Sequence, residues 1–191
     1  MHDSYPDLRV KRTRRAIKRA FTELLHEMPL EKITVHTLAK RAEINRVTFY
    51  DHYHDIYNLA DHFISDKLYD IRTALTLENT DIDEDQRAEQ ALSRLLEHIA
   101  VNEQVYRMLL VDQQLPAFTK KLTNLLHSLI LKPDPANAFY SIQTPEEVAR
   151  WYASSALLGT ISMWLEHGMP YTPKVLAEQL IKLNPFRNDN S

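Results

Sequence analysis

The sequence predicts an all-α protein of about nine helices, with an N-terminal three-helix domain followed by a C-terminal helical bundle. The 191 residues include only two glycines, Gly159 and Gly168, whereas sheets joined by tight turns usually need more. Apolar residues recur at the i, i+3, i+4 and i+7 spacing of one helix face, and no segment alternates as a strand does.

Four helices are predicted in the N-terminal part, three of them after a residue type that caps helices. The first carries an apolar stripe and ends before Pro29, because proline cannot continue a helix. The others follow Thr34, Asn45 and Asp55 and extend over residues 35–42, 46–53 and 56–75. Only a three-residue break, Glu43-Ile44-Asn45, separates the second helix from the third.

Five helices are predicted in the C-terminal part, over residues 85–101, 103–112, 115–131, 144–167 and 172–183. The acidic stretch 78–85 and the segment KPDPAN, 132–137, interrupt the helical pattern. Thr144, Pro145 and Glu147 form a capping-box start, and the Thr-Pro pair at 172–173 repeats it. Gly168 is the expected stop of the long helix before it.

Composition and charge exclude several classes of protein. Cysteine is absent, which excludes a disulfide scaffold and a thiolate metal site. No apolar run approaches the ~18–20 residues of a membrane span, and the N-terminal residues lack the apolar core of a signal peptide. These features predict a soluble, cytoplasmic protein with no membrane contact.

Positive charge is concentrated near the N-terminus. Residues 1–58 hold 11 Lys and Arg against 8 Asp and Glu, although the whole chain has a net charge of −3. The stretch from Arg9 to Arg19 carries seven positive charges and no acid. Such a run is typical either of a solvated helix face or of a surface that binds nucleic acid.

The stretch NRVTFYDHYHDIYNLADHF, residues 45–63, crowds histidines and aspartates together and raises the question of a metal site. His52 and His54 are two residues apart, and in a continuous helix such side chains point about 200° away from each other. Asp55 is assigned to a helix cap, and the zinc motif H-E-x-x-H is absent. We therefore expect no metal and no cofactor.

Two short helices joined by a three-residue turn have the shape of a helix-turn-helix. Phe49 and Tyr53, four residues apart, are expected to pack inward and to leave the rest of the third helix at the surface. That surface offers Arg46 for base edges or phosphate and Val47 for a thymine methyl group. From periodicity alone, two ordinary amphipathic helices remain the alternative.

The segment ITVHTLAKRAEINRVTFYDHY resembles the N-terminal DNA-binding domain of the TetR family of transcriptional regulators, whose pattern is roughly T-V-x-x-I-A-x-x-A-G-V-S-x-G-T-F-Y-x-H-F. Glu43 and Val47 replace the two glycines of this pattern, and Ile56 stands where the family often has a lysine. The resemblance covers residues 9–63. Further on, WLEHGMPYTP is similar to the C-terminal domains of the branch related to dihydroxyacetone-kinase regulators. The positions that match the pattern, several as conservative variants, are Thr34, Val35, Leu38, Ala39, Ala42, Ile44, Asn45, Thr48, Phe49, Tyr50, His52 and Tyr53.

By this resemblance, the second helix crosses the backbone of double-stranded DNA and the third enters the major groove. Base edges are assigned to His36, Arg46 and Val47, and the other candidates are assigned to phosphates. For His36 and His52, a solvated surface position is the alternative. The full set of DNA-binding candidates is Arg12, Arg15, Thr34, His36, Arg46, Val47, Thr48, Tyr50 and His52.

The resemblance also implies a homodimer, because one unit reads only a few base pairs and two units on a twofold axis read a palindrome. The interface is predicted on the last two helices, at Ser155, Leu158, Gly159, Ser162, Met163, Leu176 and Leu180. An effector pocket is predicted among the C-terminal helices, at Tyr106, Leu110, Phe118, His127, Trp151 and Tyr152. For both sets, the core of a single subunit is the alternative.

The predicted domains are residues 1–58 for DNA binding and residues 59–191 for effector binding and dimerisation. The predicted function is a homodimeric TetR-like repressor that a small-molecule effector releases from a palindromic operator. The alternative is a co-regulator or activator that acts through a protein partner. An enzyme is not expected, because the chain has neither a Gly-rich phosphate loop nor a G-x-S-x-G motif.

Overall fold

The structure, a computed structural model, describes residues 5–76, 84–130 and 146–183. These ranges contain nine α-helices, one short 3₁₀ helix (Leu30–Lys32) and no strand, so the predicted all-α fold is confirmed. None of the helices in these ranges is long and apolar enough to cross a membrane. The helices are α1 (Tyr5–Glu27), α2 (Val35–Arg41), α3 (Arg46–Tyr50), α4 (Ile56–Leu75), α5 (Glu84–Val101), α6 (Glu103–Leu110), α7 (Pro116–Ile130), α8 (Glu146–Glu166) and α9 (Pro173–Lys182).

The chain divides into two compact units, Met1–Asp66 and Lys67–Ser191, with the division inside α4. In the first unit, α2 packs against both α1 and α3. The apolar stripe predicted for the first helix is confirmed as core, with Ile17 and Phe21 fully buried. Phe21 meets Phe63 of α4 edge to face, with ring centroids 5.6 Å apart. This packing anchors α1 to α4 through apolar contact.

In the second unit, α5 packs against α9, and α8 packs against α6 and α7. Leu96, Phe118 and Leu165 are fully buried in its core. Thr172 caps α9 as predicted, since its side chain accepts a hydrogen bond from the Val175 N–H at 3.4 Å. Of the predicted break at 78–85, residues 78–83 lie outside the described residues, whereas Glu84 and Asp85 already belong to α5. The predicted break at 132–137 and the Thr144-Pro145 start also lie outside the described residues.

The third helix is shorter than predicted, because it ends at Tyr50 instead of near Tyr53. The backbone N–H groups of His52 and Tyr53 both donate to the Phe49 carbonyl, at 2.9 and 3.0 Å, which closes a tight turn after α3. Asp55 then begins α4 as the predicted cap, because the N–H in the first turn of α4 donates to Asp55 Oδ1 at 2.7 Å. The tight turn, and not the spacing between the caps Asn45 and Asp55, therefore ends α3.

The segment WLEHGMPYTP forms the turn between α8 and α9. Gly168 has a φ of +70°, which suits a residue that stops a helix, so the predicted stop is confirmed. The buried Trp164 donates its indole N–H to the Tyr171 carbonyl at 2.9 Å. Arg107 of α6 donates to the Leu165 carbonyl at 2.7 Å, at the end of α8 where a cation is favourable. These bonds hold the turn in one conformation.

Candidate functional site

The turn between α2 and α3 determines where α3 lies. Thr34 and Thr37 form a capping box at the start of α2, in which each side-chain oxygen accepts from the other residue's N–H at 3.1 Å. After α2, Glu43 adopts a φ of +55°, the left-handed region that favours glycine. The Ile44 N–H donates to the Ala39 carbonyl at 3.0 Å and closes the turn. The chain thus keeps the glycine-like turn conformation without a glycine.

Helix α3 buries one side chain and turns others outward. Asn45 Oδ1 accepts from the Val47 N–H at 2.9 Å, so the predicted cap of α3 is confirmed. Phe49 is fully buried, whereas Val47 is 66% and Tyr50 56% exposed. Thr48 is half-buried. The outward surface therefore carries the side chains that the sequence assigned to it.

Arg46 and His36 meet at this surface, although they belong to different helices. Arg46 is the first residue of α3, His36 lies in the first turn of α2, and both are exposed. Arg46 Nη2 lies 2.9 Å from His36 Nδ1. Because a guanidinium only donates hydrogen bonds, His36 Nδ1 is the acceptor. Two of the three base-edge candidates are therefore connected.

The basic residues of α1 fall into two groups. Lys18 pairs with Asp66, and Arg19 lies 3.7 Å from Glu23 at the surface. Arg12 and Arg15, the two candidates for phosphate contacts on this helix, are both exposed. Lys18 and Arg19 thus contact acidic side chains within the chain, and the side chains of Arg12 and Arg15 face solvent.

Arg41 ties α2 to α1. Its Nη1 and Nη2 donate to the two carboxylate oxygens of Glu27 at 2.8 Å each, the bidentate geometry of the stronger ion pairs. The hydrogen bond from Arg41 lowers the pKa of the Glu27 carboxyl, and the same bond raises the pKa of the Arg41 guanidinium. Because both of its terminal nitrogens bind Glu27, Arg41 holds α2 against α1.

The histidines near α3 do not form a metal site. His52 is half-buried and its ring lies 6.4 Å from the Tyr53 ring, centroid to centroid, while His54 is exposed. Asp55 is engaged as the cap of α4. Across the described ranges, no group of three or more His, Asp or Glu side chains could hold a metal ion. His52 thus stays available as a polar group at the edge of the α3 surface.

The six effector-pocket candidates lie in two different settings. Tyr106 and Phe118 are fully buried, with ring centroids 6.3 Å apart, and Leu110 is buried as well. Trp151 and Tyr152 of α8, in contrast, are 57% and 59% exposed. The structure therefore brings the first three together inside the second unit and leaves two aromatic candidates at its surface.

Sequence reasoning missed two polar pairs in the second unit. His98 Nε2 lies 2.8 Å from the Tyr106 hydroxyl, and the sixth pocket candidate, His127, places Nε2 2.7 Å from the Ser154 hydroxyl. Ser154 is buried, and burial lowers the pKa of His98 and raises that of Tyr106. The signal that could have located these pairs is a histidine next to the apolar stripe of a helix: His98 precedes Ile99, and His127 follows Leu126.

One face of α8 presents large apolar side chains to the surface. We name it the α8 outer stripe: Val148, Trp151, Tyr152, Ser155, Gly159 and Met163, all exposed. A Cβ atom built on Gly159 would meet nothing within 4 Å. Of the other interface candidates, Leu158 and Leu176 are buried within the chain, and Ser162 and Leu180 are half-buried. The interface set thus splits between surface and core.

Two comparisons of the sequence point to one family. The family model TetR_C_8, described as "Transcriptional regulator C-terminal region", matches residues 86–185, which is more than half of the chain. The uncharacterised HTH-type transcriptional regulator YxbF of Bacillus subtilis (strain 168) is 27% identical over 178 residues, or 92% of this chain and 45% of YxbF. The chain therefore spans less than half the length of this curated relative.

Solved structures agree on the fold. A TetR transcriptional regulator from Streptococcus agalactiae 2603V matches with a TM-score of 0.70 and 23% identity, over 95% of this chain and 98% of that one. The regulator FadR from Bacillus subtilis, solved in complex with stearoyl-CoA, matches with a TM-score of 0.61 and 15% identity, over 88% of this chain and 96% of that one. These likenesses support a helix-turn-helix domain followed by a helical C-terminal domain.

Proposed function

The chain belongs to the TetR family of transcriptional regulators, and we propose that it is a homodimeric repressor that a small-molecule effector releases from a palindromic operator. The family consists of regulators and not of enzymes. The observation that carries the proposal is the outward surface of α3, where Arg46, Val47 and Tyr50 are exposed around one buried anchor, Phe49. Such a surface has the length and chemistry to enter a major groove.

In the proposed complex, base edges and phosphates are contacted by different side chains. Arg46, His36 and Val47 face the bases, since guanidinium, imidazole and a branched apolar group each recognise base-edge features. Thr48, Tyr50, His52 and Thr34 lie around them and supply polar groups for phosphate oxygens. Arg12 and Arg15 of α1 add phosphate contacts, so we expect binding to weaken steeply as salt rises.

The experiment that tests DNA reading is selection of bound duplexes from a random library, followed by a salt titration on the enriched sequence. We expect a palindrome whose half-sites lie about one helical turn apart, roughly 34–36 Å, or more. Tyr50→Phe removes one exposed hydroxyl and should lower affinity, whereas Tyr69→Phe, which removes the hydroxyl of a 70% exposed residue of α4, should not. Absence of any enriched site for the folded protein would overturn the proposal.

The homodimer is proposed to form through the α8 outer stripe. Contiguous exposed apolar side chains are rare on monomers and usually mark an interaction surface. Small residues within the stripe, Ser155 and Gly159, let a second helix approach closely, while Met163 and Trp151 supply apolar area. In this proposal, residues 1–58 form the DNA-binding domain, and residues 59–191 form the domain for effector binding and dimerisation. The proposed place of action is the cytoplasm.

A small-molecule effector is proposed because FadR of Bacillus subtilis, which shares this fold, is seen in complex with stearoyl-CoA. Among the buried candidates, Tyr106 contacts the Phe118 ring and pairs with His98, and His127 pairs with Ser154 in the same unit. Apolar walls with a few polar groups are typical of ligand sites. Titration of acyl-CoA esters and other apolar ligands into the protein–operator complex tests this point, with DNA release as the expected response.

The exposure of Trp151 and Tyr152 favours a second candidate function, a co-regulator or activator that acts through a protein partner. If the two aromatic rings contact a different protein, they should stay exposed in the purified homodimer. Fluorescence quenching of Trp151 in a Trp164→Phe variant separates the two functions. Shielding that depends only on the concentration of this chain supports the homodimer, and persistent exposure in a dimeric protein supports the partner.

A further inference from the structure

We infer that Arg46 and His36 act as one unit whose exposed groups only donate hydrogen bonds, and that this unit selects guanine in each half-site. The inference rests on the proposed function, because it requires α3 to lie in the major groove. It adds to that function the identity of a base and the role of the residue that orients the arginine.

The first step concerns the proton on the imidazole. Arg46 Nη2 lies 2.9 Å from His36 Nδ1, and the guanidinium has five N–H donors and no acceptor. The hydrogen bond therefore requires a lone pair on Nδ1. A neutral imidazole carries its one proton on the other nitrogen, so Nε2 of His36 bears the hydrogen and is itself a donor.

The second step concerns the orientation of Arg46. Both side chains are exposed, so neither is fixed by packing, and the bond between them restricts a long side chain that would otherwise sample many rotamers. One N–H of Nη2 is used in this bond, and the remaining donors of the fork stay available. His36 is thus a positioning residue for Arg46, and the order it imposes exists before DNA arrives.

The third step matches these donors to the bases. In the major groove, guanine presents two acceptors, N7 and O6, whereas adenine presents one acceptor beside a donor, thymine presents one acceptor beside a methyl group, and cytosine presents a donor. A unit that only donates therefore prefers guanine, which an arginine contacts with two parallel bonds. The nearby Val47, 66% exposed, is apolar and adds no acceptor that would reverse this preference.

The tautomer can be measured without DNA, which separates this inference from the proposed function. Long-range ¹H–¹⁵N NMR spectra of the full chain, at a pH where imidazoles are neutral, assign the protonated nitrogen of each histidine. We expect His36 to carry its proton on Nε2, and we expect this preference to weaken in Arg46→Ala. A proton on Nδ1 of His36 would overturn the inference whatever the protein does to DNA.

The base preference is measured by library selection with matched variants. For the wild type, we expect guanine at one position of each half-site, favoured by roughly 5- to 150-fold, the range of one good bidentate contact. Arg46→Ala and His36→Leu should flatten that position and leave the others unchanged. His36→Gln should restore it, because the glutamine side chain offers Arg46 an acceptor oxygen and still exposes donors.

The possible outcomes are distinguishable. An enriched operator whose base preferences are unchanged in Arg46→Ala and His36→Leu would overturn the inference and leave the proposed function standing. The same holds if the flattened position prefers cytosine or adenine. If no operator is enriched at all, both the function and the inference fail. Circular dichroism melts confirm that the variants of these exposed residues remain folded.

Discussion

Two of the regions that expose large side chains, α3 and the α8 outer stripe, differ in what surrounds those side chains. On α3, Val47 and Tyr50 lie near Arg46, whose guanidinium donates a hydrogen bond to Nδ1 of His36. On the α8 outer stripe, the neighbours of the exposed aromatic residues are small or apolar. Similar exposure therefore has opposite chemistry: the first surface suits phosphates and base edges, and the second suits another apolar surface.

The largest expected effect comes from removing Phe49, the buried side chain that anchors α3. Phe49 is fully buried, and Phe49→Ala should lower the free energy of unfolding of the first unit by about 3–5 kcal/mol, because it removes buried area and leaves a cavity. Operator binding should be lost with it. Urea unfolding at fixed protein concentration measures the effect.

The neighbouring residue supplies the control for this change. Tyr50 is 56% exposed, so Tyr50→Ala should leave the unfolding midpoint close to wild type while it weakens DNA binding. Equal losses of stability in Phe49→Ala and Tyr50→Ala would show that α3 has no separate anchor and contact faces. Such a result would remove the basis for assigning its outward surface to DNA.

The next largest effect concerns the α8 outer stripe. Because a Cβ on Gly159 meets nothing within 4 Å, Gly159→Phe should leave the subunit folded but hold a second copy away. We expect the dimer to weaken by roughly 30-fold or more, the size of a hot-spot loss of about 2 kcal/mol. Sedimentation velocity over a dilution series measures it. Val101→Phe, at an 85% exposed position of α5 outside the stripe, is the matched control, and equal weakening by both would contradict the assigned interface.

The two regions also differ in how much the sequence could predict. The caps Thr34, Asn45 and Asp55 act on N–H groups within three residues, so residue type and spacing were enough to locate these helix starts. The predicted end of α3, near Tyr53, was wrong, because the turn that ends the helix is closed by backbone bonds to the Phe49 carbonyl, which residue type and spacing do not reveal. Side-chain caps thus explain the correct helix starts, and a turn made by the backbone explains the misplaced end.

In the second unit, the deciding contacts are distant in sequence. Ser154 was one of several small residues on α8, and only its bond to His127, 27 positions away, shows that it points inward. Residue type does not distinguish a buried leucine from an exposed one. Leu158 is buried because α8 packs against α6 and α7. Periodicity cannot separate these cases, because the apolar and polar residues of α8 are not segregated to opposite faces of the helix.

A smaller effect is expected from backbone strain, which occurs in a turn of each unit. Glu43 in the first unit and Met169 in the second have φ of +55°, a conformation that costs non-glycine residues free energy. Glu43→Gly should stabilise the first unit by roughly 0.5–1 kcal/mol, the relief of strain less the added freedom of the unfolded chain. Lys40→Gly, in the last turn of α2, should instead destabilise it by roughly 0.5–1 kcal/mol, because glycine loses more backbone freedom than other residues when it becomes helical. Thermal unfolding distinguishes the two, and destabilisation by Glu43→Gly would contradict the strained turn.

The smallest expected effect is a difference between the two units in the pH range over which each loses stability. Burial lowers the pKa of His98 below its ordinary 6.5, so the unfolded second unit binds more protons and its stability falls as pH drops below about 6.5. In the first unit, the hydrogen bond from Arg41 lowers the pKa of Glu27 below its ordinary 4.5. The contribution of this ion pair to stability is therefore complete above about pH 4.5 and is lost only as the pH falls below that value.

Separate probes of the two units measure these windows. Both tryptophans, Trp151 and Trp164, belong to the second unit, so their fluorescence reports its urea midpoint, and hydrogen exchange of the α2 and α3 amides reports the first. His98→Gln should flatten the upper window, and Glu27→Gln the lower one. The urea midpoint from tryptophan fluorescence could still fall between pH 7 and 5.5 in His98→Gln, as in the wild type. In that case a group other than His98 destabilises the second unit at low pH. The burial of His98 against Tyr106 would then not control its acid sensitivity.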